Sequence, residues 1–294
     1  MRNTSALSAV PLSRLWLPRP ALTHCVRAVM SRNTVGVELT DVQRFNYFPA
    51  SPLCGIGWWF EGVSEMLPFD TQPSLDVPRT QLPSRICFHG PSRQPMLSWN
   101  PGPCHGMMLM FMPDALYRLT GITSMDYVDQ FVDVRDVFPA SWVAMCEAVM
   151  AQPDDDARVE CIQDFLEPQW QDARAALPLR LHRYQDWAQA LALRAATSAP
   201  GRSLRQVERR IKQWAGLPMR ELRGFGRAEQ AFFQGLQDGA TGTKPHWAEL
   251  ADSNGYSDQS HLCRETRRIT GFTPDDLYRR IAEDEGCWSY RLWQ

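Results

Sequence analysis

The run Pro245–Arg280, PHWAELADSNGYSDQSHLCRETRRITGFTPDDLYRR, constrains this chain more than any other stretch, because its glycines cut it into helices of set length. Trp247, Leu250 and Ala251 share one face at helical spacing. Gly255 stops that helix, since glycine takes the left-handed cap conformation without steric cost. Ser257 or Asp258 then offers a side-chain oxygen to the free N–H groups of a second helix, Gln259 through Ile269. Leu262 and Ile269 face inward there, leaving Gln259, Ser260, Cys263, Arg264 and Arg267 on the outer side. Gly271 ends the second helix, and Thr273-Pro274 opens another at Asp275. A small alanine, a glycine turn and a polar second helix predict a helix-turn-helix.

The pattern occurs twice. A shift of 55 residues lays Ala196 on Ala251, Val207 on Leu262, Arg209 on Arg264, Lys212 on Arg267, Gly216 on Gly271 and Leu222 on Leu277. Ser203 is placed to cap the earlier polar helix, with Gln206 three positions on as its capping-box partner. Its turn departs from the later copy, with Pro200-Gly201 in place of Gly255-Tyr256.

The segment Gly255-Tyr256-Ser257-Asp258-Gln259-Ser260-His261-Leu262, continued by Arg264 and closed by Gly271-Phe272-Thr273-Pro274, resembles the C-terminal signature of AraC/XylS-type transcription regulators. The resemblance spans residues 186–294 and is most specific at their end. It implies an all-α DNA-binding domain of two helix-turn-helix units, with a long central helix that Glu221–Leu236 would supply. It also implies base-reading side chains at Arg205, Gln206, Glu208 and Arg209 of the first unit and Gln259, Ser260, Cys263 and Arg264 of the second. Arginine suits guanine O6 and N7, and glutamine suits adenine. Arg202, Arg210, Lys212, Arg220, Arg223, Arg267 and Arg268 are expected on phosphates or in internal ion pairs. Double-stranded DNA, RNA polymerase and a small-molecule effector are the implied partners. A homodimer stays open, since two reading helices in one chain already give specificity.

Charge agrees with a split into 1–165, a linker 166–185 and 186–294. Residues 178–294 hold 18 Lys+Arg against 14 Asp+Glu, while residues 1–177 hold 13 against 19. A basic C-terminal half beside an acidic N-terminal half fits a nucleic-acid reader joined to something else. The eight cysteines contain no C-x-x-C pair, so a zinc ribbon is not expected. No apolar run reaches bilayer length, and the acid-free first 37 residues, interrupted by Pro11, Pro18 and Pro20, lack a signal core. The expectation is a cytoplasmic protein with free thiols, no cofactor and no membrane partner.

The N-terminal half reads as α+β. Short strands at Arg85–His89, Met96–Trp99 and His105–Phe111 are separated by Gly/Pro turns, and helical spacing follows over Asp114–Thr120, Ser124–Phe131, Ala140–Ala151 and Asp154–Phe165. Residues 66–84 read as loop, and residues 1–35 as a ragged start. The wording FPASPLCGIGWWFEG and LSWNPGPCHGMM is similar to the N-terminal domain found in a subset of the same family, which implies a sensing or dimerisation domain, a small antiparallel sheet or cupin-like barrel. Trp58, Trp59, Trp99, Met108 and Met110 are candidate linings for an apolar ligand pocket, with core packing the competing role. Cys87, His89, Cys104 and His105 are the clustered metal-type residues, and buried cysteine is more often a small hydrophobe than a ligand. The expected role is regulation without catalysis. The alternatives are a thiol- or metal-dependent or enzymatic N-terminal half targeted to DNA, and a constitutive DNA binder with no ligand.

Overall fold

Alternation of apolar and small residues in the first half produces two antiparallel sheets. The strands are β1 (Leu12–Trp16), β2 (Val26–Asn33), β3 (Phe45–Phe48), β4 (Cys54–Glu61), β5 (Glu65–Leu67), β6 (Thr80–Gln81), β7 (Ile86–His89), β8 (Met96–Trp99), β9 (His105–Phe111) and β10 (Phe131–Asp133). One sheet has the order β1-β2-β9-β4-β7-β10, the other β3-β8-β5-β6. The helices are α1 (Pro113–Thr120), α2 (Val134–Val137), α3 (Ala140–Ala151), α4 (Asp155–Ala173), α5 (Tyr184–Thr197), α6 (Leu204–Ala215), α7 (Met219–Ala240), α8 (Trp247–Ser253), α9 (Gln259–Thr270), α10 (Pro274–Glu283) and α11 (Trp288–Arg291). This computed structural model describes residues 12–68, 74, 76–173, 184–198, 203–240 and 245–293; Arg202, the turn Pro200-Gly201 and the linker stretch 174–183 lie outside the described residues. The fold is thus an α+β half followed by an all-helical half with two helix-turn-helix units.

Strand parity sorts the larger sheet's side chains. Ile56 and Trp58 of β4, with Leu109 and Phe111 of β9, join the core beneath α1, α3 and α4, against Leu116, Trp142 and Ile162. Each such fully buried aliphatic side chain contributes roughly 1.5–3 kcal/mol. The alternate residues Gly55, Gly57, Met108 and Met110 occupy the other face, in the register Gly55↔Met110 and Gly57↔Met108. In the smaller sheet Phe45, Tyr47, Leu67 and Leu97 pack beneath Leu277, Ile281, Cys287 and Tyr290 of the C-terminal helices. The remaining faces of the two sheets border a shared hollow.

Several local expectations are corrected. Residues 166–173, expected as linker, are the last turns of α4, which runs through Pro168 because Leu166 and Trp170 on either side of it are buried. Ser124–Phe131, expected as helix, is one 3-10 turn over Ser124–Tyr127 followed by β10, whose pairing with β7 outweighs the local period. The ragged start holds strand β1, registered against β2 from Leu12↔Asn33 to Trp16↔Val29, and the stretch expected as loop holds β5 and β6.

The two halves share packing. Ile211, Leu217 and Leu222 belong to the same core as Leu116 and Trp170. Asp114 of α1, 3 % exposed, accepts the Trp187 indole N–H at 2.6 Å and pairs with Arg194, both from α5. Beyond α10 the chain turns back onto β3: Trp288 Nε1 donates to Asn46 Oδ1 at 2.9 Å and Ser289 Oγ to the Tyr47 carbonyl at 2.8 Å.

Candidate nucleic-acid interface and ligand chamber

The sequence repeat is also a repeat in backbone structure. Helices α6 and α9 are both 12 residues long and start 55 residues apart. Each has a side-chain N-cap: Ser203 Oγ accepts the Gln206 N–H at 3.3 Å, and Asp258 Oδ1 accepts the His261 N–H at 2.7 Å. The bond from the His261 N–H holds the Asp258 carboxyl below its ordinary value. Each ends at a glycine in the left-handed region, Gly216 at φ 74° and Gly271 at φ 83°, whose N–H bonds Lys212 O or Arg267 O at 2.8 Å. The next helix then begins at Met219 in one unit and Pro274 in the other, again 55 residues apart.

On these two helices Arg205, Gln206, Arg209, Gln259, Ser260, Arg264 and Arg267 are exposed. Glu208 and Cys263 are not on that exposed face; they hold equivalent positions in the repeat and both are half-buried. The Glu208 carboxylate accepts the Met219 N–H at 3.2 Å and so caps α7. Two of the expected phosphate-type arginines have partners within the protein, Arg268 while remaining exposed. Arg210 donates to the Ala195 carbonyl at 2.7 Å, tying α6 to α5, and Arg268 pairs with Glu265 at 3.0 Å over the Phe225 ring. Lys212, Arg220 and Arg223 are exposed.

The hollow between the sheets continues toward the C-terminal helices as a cavity of about 300 Å³. Glycines make room for it: a Cβ at Gly57 would lie 2.9 Å from the Trp59 ring, and one at Gly55 2.6 Å from His89 Nε2. Trp59, Met108 and Met110 line it. Trp58 borders it too, but its indole is fully buried and donates to the Cys146 carbonyl at 3.1 Å. Trp99 does not line it; its parity places it on the opposite face of the smaller sheet, with its N–H on Asp41 O and Arg79 over its ring. Sequence reasoning missed Met30, Phe48, Met96, His89, Trp288 and Trp293 as lining residues. Alternation along β8 and β7 could have suggested Met96 and His89; nothing local places Trp288 there.

The metal-type residues are dispersed. Cys87 Sγ donates to Ser84 O, and His105 Nε2 lies 3.0 Å from Asp155 Oδ1. Among the described residues no three His, Cys, Asp or Glu are grouped to hold a metal ion. Burial pushes the thiols of Cys54, Cys104 and Cys146 to about 12, so they stay protonated and poorly nucleophilic. Ser31, His105 and Asp155 meet in space, but the Ser31 hydroxyl donates to the carboxylate, not to the imidazole. That arrangement cannot activate the serine.

The chain matches no known family model and no curated protein. Solved structures of ToxT from Vibrio cholerae resemble it in outline. ToxT of strain O395 shares 8% identity over 93% of this chain and 98% of that one, at a TM-score of 0.38. An apo ToxT variant of strain SCE256 shares 9% over 91% and 96%, also at 0.38. Unsaturated fatty acid-bound wild-type ToxT of that strain shares 8% over 90% and 93%, at 0.36. No helix among the described residues is long and apolar enough to cross a membrane.

Proposed function

We propose that this chain is a sequence-specific, non-enzymatic DNA-binding transcription regulator of the AraC/XylS type, controlled by a small molecule in the chamber that its N-terminal half lines together with the C-terminal helices. The observation that carries the reading is the 55-residue structural repeat, in which two polar helices share length, cap, terminal glycine and following helix. Two such units in one chain can enter successive major-groove faces, with half-sites about 34 Å apart. Arg209 and Arg264 occupy equivalent exposed positions and read bases; Arg205, Gln206, Gln259 and Ser260 flank them, and Lys212 and Arg267 hold phosphates. An occupied chamber shifts the population between arrangements of the halves, because its walls come from both.

The test is selection of genomic fragments by the purified full-length protein at stated, near-physiological salt. Enrichment of paired half-sites one helical turn apart is expected. Salt-sensitive binding with no enriched sequence would overturn the reading, since a merely basic surface gives that result.

A further inference from the structure

The chamber proposed above as the effector site has a charge rule written into its walls. Its lining includes two cations, Arg27 and Arg32, and neither is free. Arg27 Nη2 lies 2.7 Å from Glu229 Oε1 and Arg32 Nη2 lies 2.8 Å from Glu285 Oε1, with the Trp293 and Trp288 rings over the two guanidiniums. A carboxylate entering the chamber would either share a guanidinium whose charge a protein carboxylate already balances, leaving one negative charge in excess, or remain unpaired among methionines and aromatics. Both outcomes oppose binding, because an isolated buried charge is costly.

The uncompensated polar atoms are of another kind. His89 is 8 % exposed and lines the chamber. Its Nδ1 lies 3.3 Å from the Gly90 carbonyl and donates there, which leaves a lone pair on Nε2, and Nε2 has no partner. Burial lowers this imidazole to about 4, so it is neutral at physiological pH and offers an acceptor, not a cation. On the helical side the Tyr290 hydroxyl, in a residue 5 % exposed, is likewise buried without a partner, and burial holds it protonated. The remaining titratable groups bordering the chamber, Cys104 and Tyr278, are uncharged for the same reason.

We infer that the chamber selects an uncharged, largely apolar small molecule bearing a hydroxyl or N–H, which donates to His89 Nε2, and that it rejects the corresponding carboxylate. The inference rests on the chamber being the effector site. It narrows the effector to phenol-, alcohol- or indole-like chemistry.

Three probes of one shape test it: para-butylphenol, butylbenzene and para-butylbenzoate, titrated into full-length protein near neutral pH and followed by tryptophan fluorescence and calorimetry. The phenol is expected to bind about ten-fold more tightly than the hydrocarbon, the increment of one hydrogen bond. The benzoate is expected to bind about a hundred-fold more weakly than the phenol. In His89→Leu the phenol should fall to the level of butylbenzene while butylbenzene keeps its affinity, and that retained affinity shows the chamber is intact. Benzoate binding as tightly as the phenol, a phenol preference that survives His89→Leu, or no binding of any probe would each overturn the inference. Operator selection without any probe is scored separately, so a protein that selects paired half-sites yet prefers the benzoate defeats only the charge rule.

Discussion

At the residue scale, Glu208 and Arg209 sit side by side on α6 and are expected to behave oppositely. Glu208→Ala removes the acceptor for the Met219 N–H at the start of α7, so it should cost about 1 kcal/mol of stability and leave base preference unchanged. Arg264→Ala should relax specificity at one base step by about 1–3 kcal/mol, as should Arg209→Ala at the equivalent step of the other half-site. Lys212→Ala should weaken all sequences alike and reduce the salt slope by about one. Binding titrations on cognate and scrambled duplexes over a salt series, with thermal melts of each variant, separate these outcomes. Equal losses on cognate and scrambled DNA from both Arg264→Ala and Lys212→Ala would defeat the base-reading assignment.

At the element scale, α4 is pinned to the inner strands β2 and β9 of the larger sheet through its first residue. Asp155 accepts from Ser31 Oγ at 2.7 Å, Arg158 at 2.7 Å and His105 at 3.0 Å. Burial would raise its carboxyl, yet the bonds from His105, Ser31 and Arg158 outweigh that and hold it down from 3.8 to about 2. A carboxyl depressed in the folded state stabilises the fold at every pH above its ordinary value. That contribution disappears as pH falls from about 4 through 2. Asp155→Asn should therefore lower stability by about 2 kcal/mol near neutral pH, with the gap to the parent protein closing as the solution is acidified. A gap independent of pH in denaturant titrations would mean that Asp155 acts by shape alone.

At the scale of the whole molecule, the last residues decide how the second helix-turn-helix unit sits against the β half. Trp288 donates to Asn46, packs edge-on against Phe48 at 5.7 Å and carries Arg32 over its ring. Its replacement by alanine should cost about 3–5 kcal/mol and widen the chamber it lines. Residues 178–294 alone are expected to fold and bind DNA, with weaker control by any effector. Ile211, Leu217 and Leu222 lose their partners from the first half in that fragment, so it should melt below the full chain and bind an apolar dye. A fragment that is folded yet prefers no DNA sequence would count against a separable reading domain.

What the sequence by itself determined lies within a few residues of chain. Helix period, a cap at Ser203 and one at Ser257 or Asp258, and Gly216 and Gly271 as stops all act over one or two turns, so a 55-residue echo in the letters became an echo in the backbone, where Asp258 is the cap. Strands β8 and β9 matched residue for residue because Gly/Pro turns bound them. Facing was decided in three dimensions. Trp58 and Trp59 are neighbours in sequence, and only the pairing of β4 with β7 and β9 sends one indole into the core and the other to the chamber. Helix α4 passes Pro168, and Ser124–Phe131 gives up its helical period, because burial and strand pairing outweigh local preference. Glu208 is drawn off the exposed face of α6 because its carboxylate accepts the Met219 N–H at the start of α7. His89 is a neutral acceptor only because packing around it removes water, a condition that no neighbouring residue in the chain encodes.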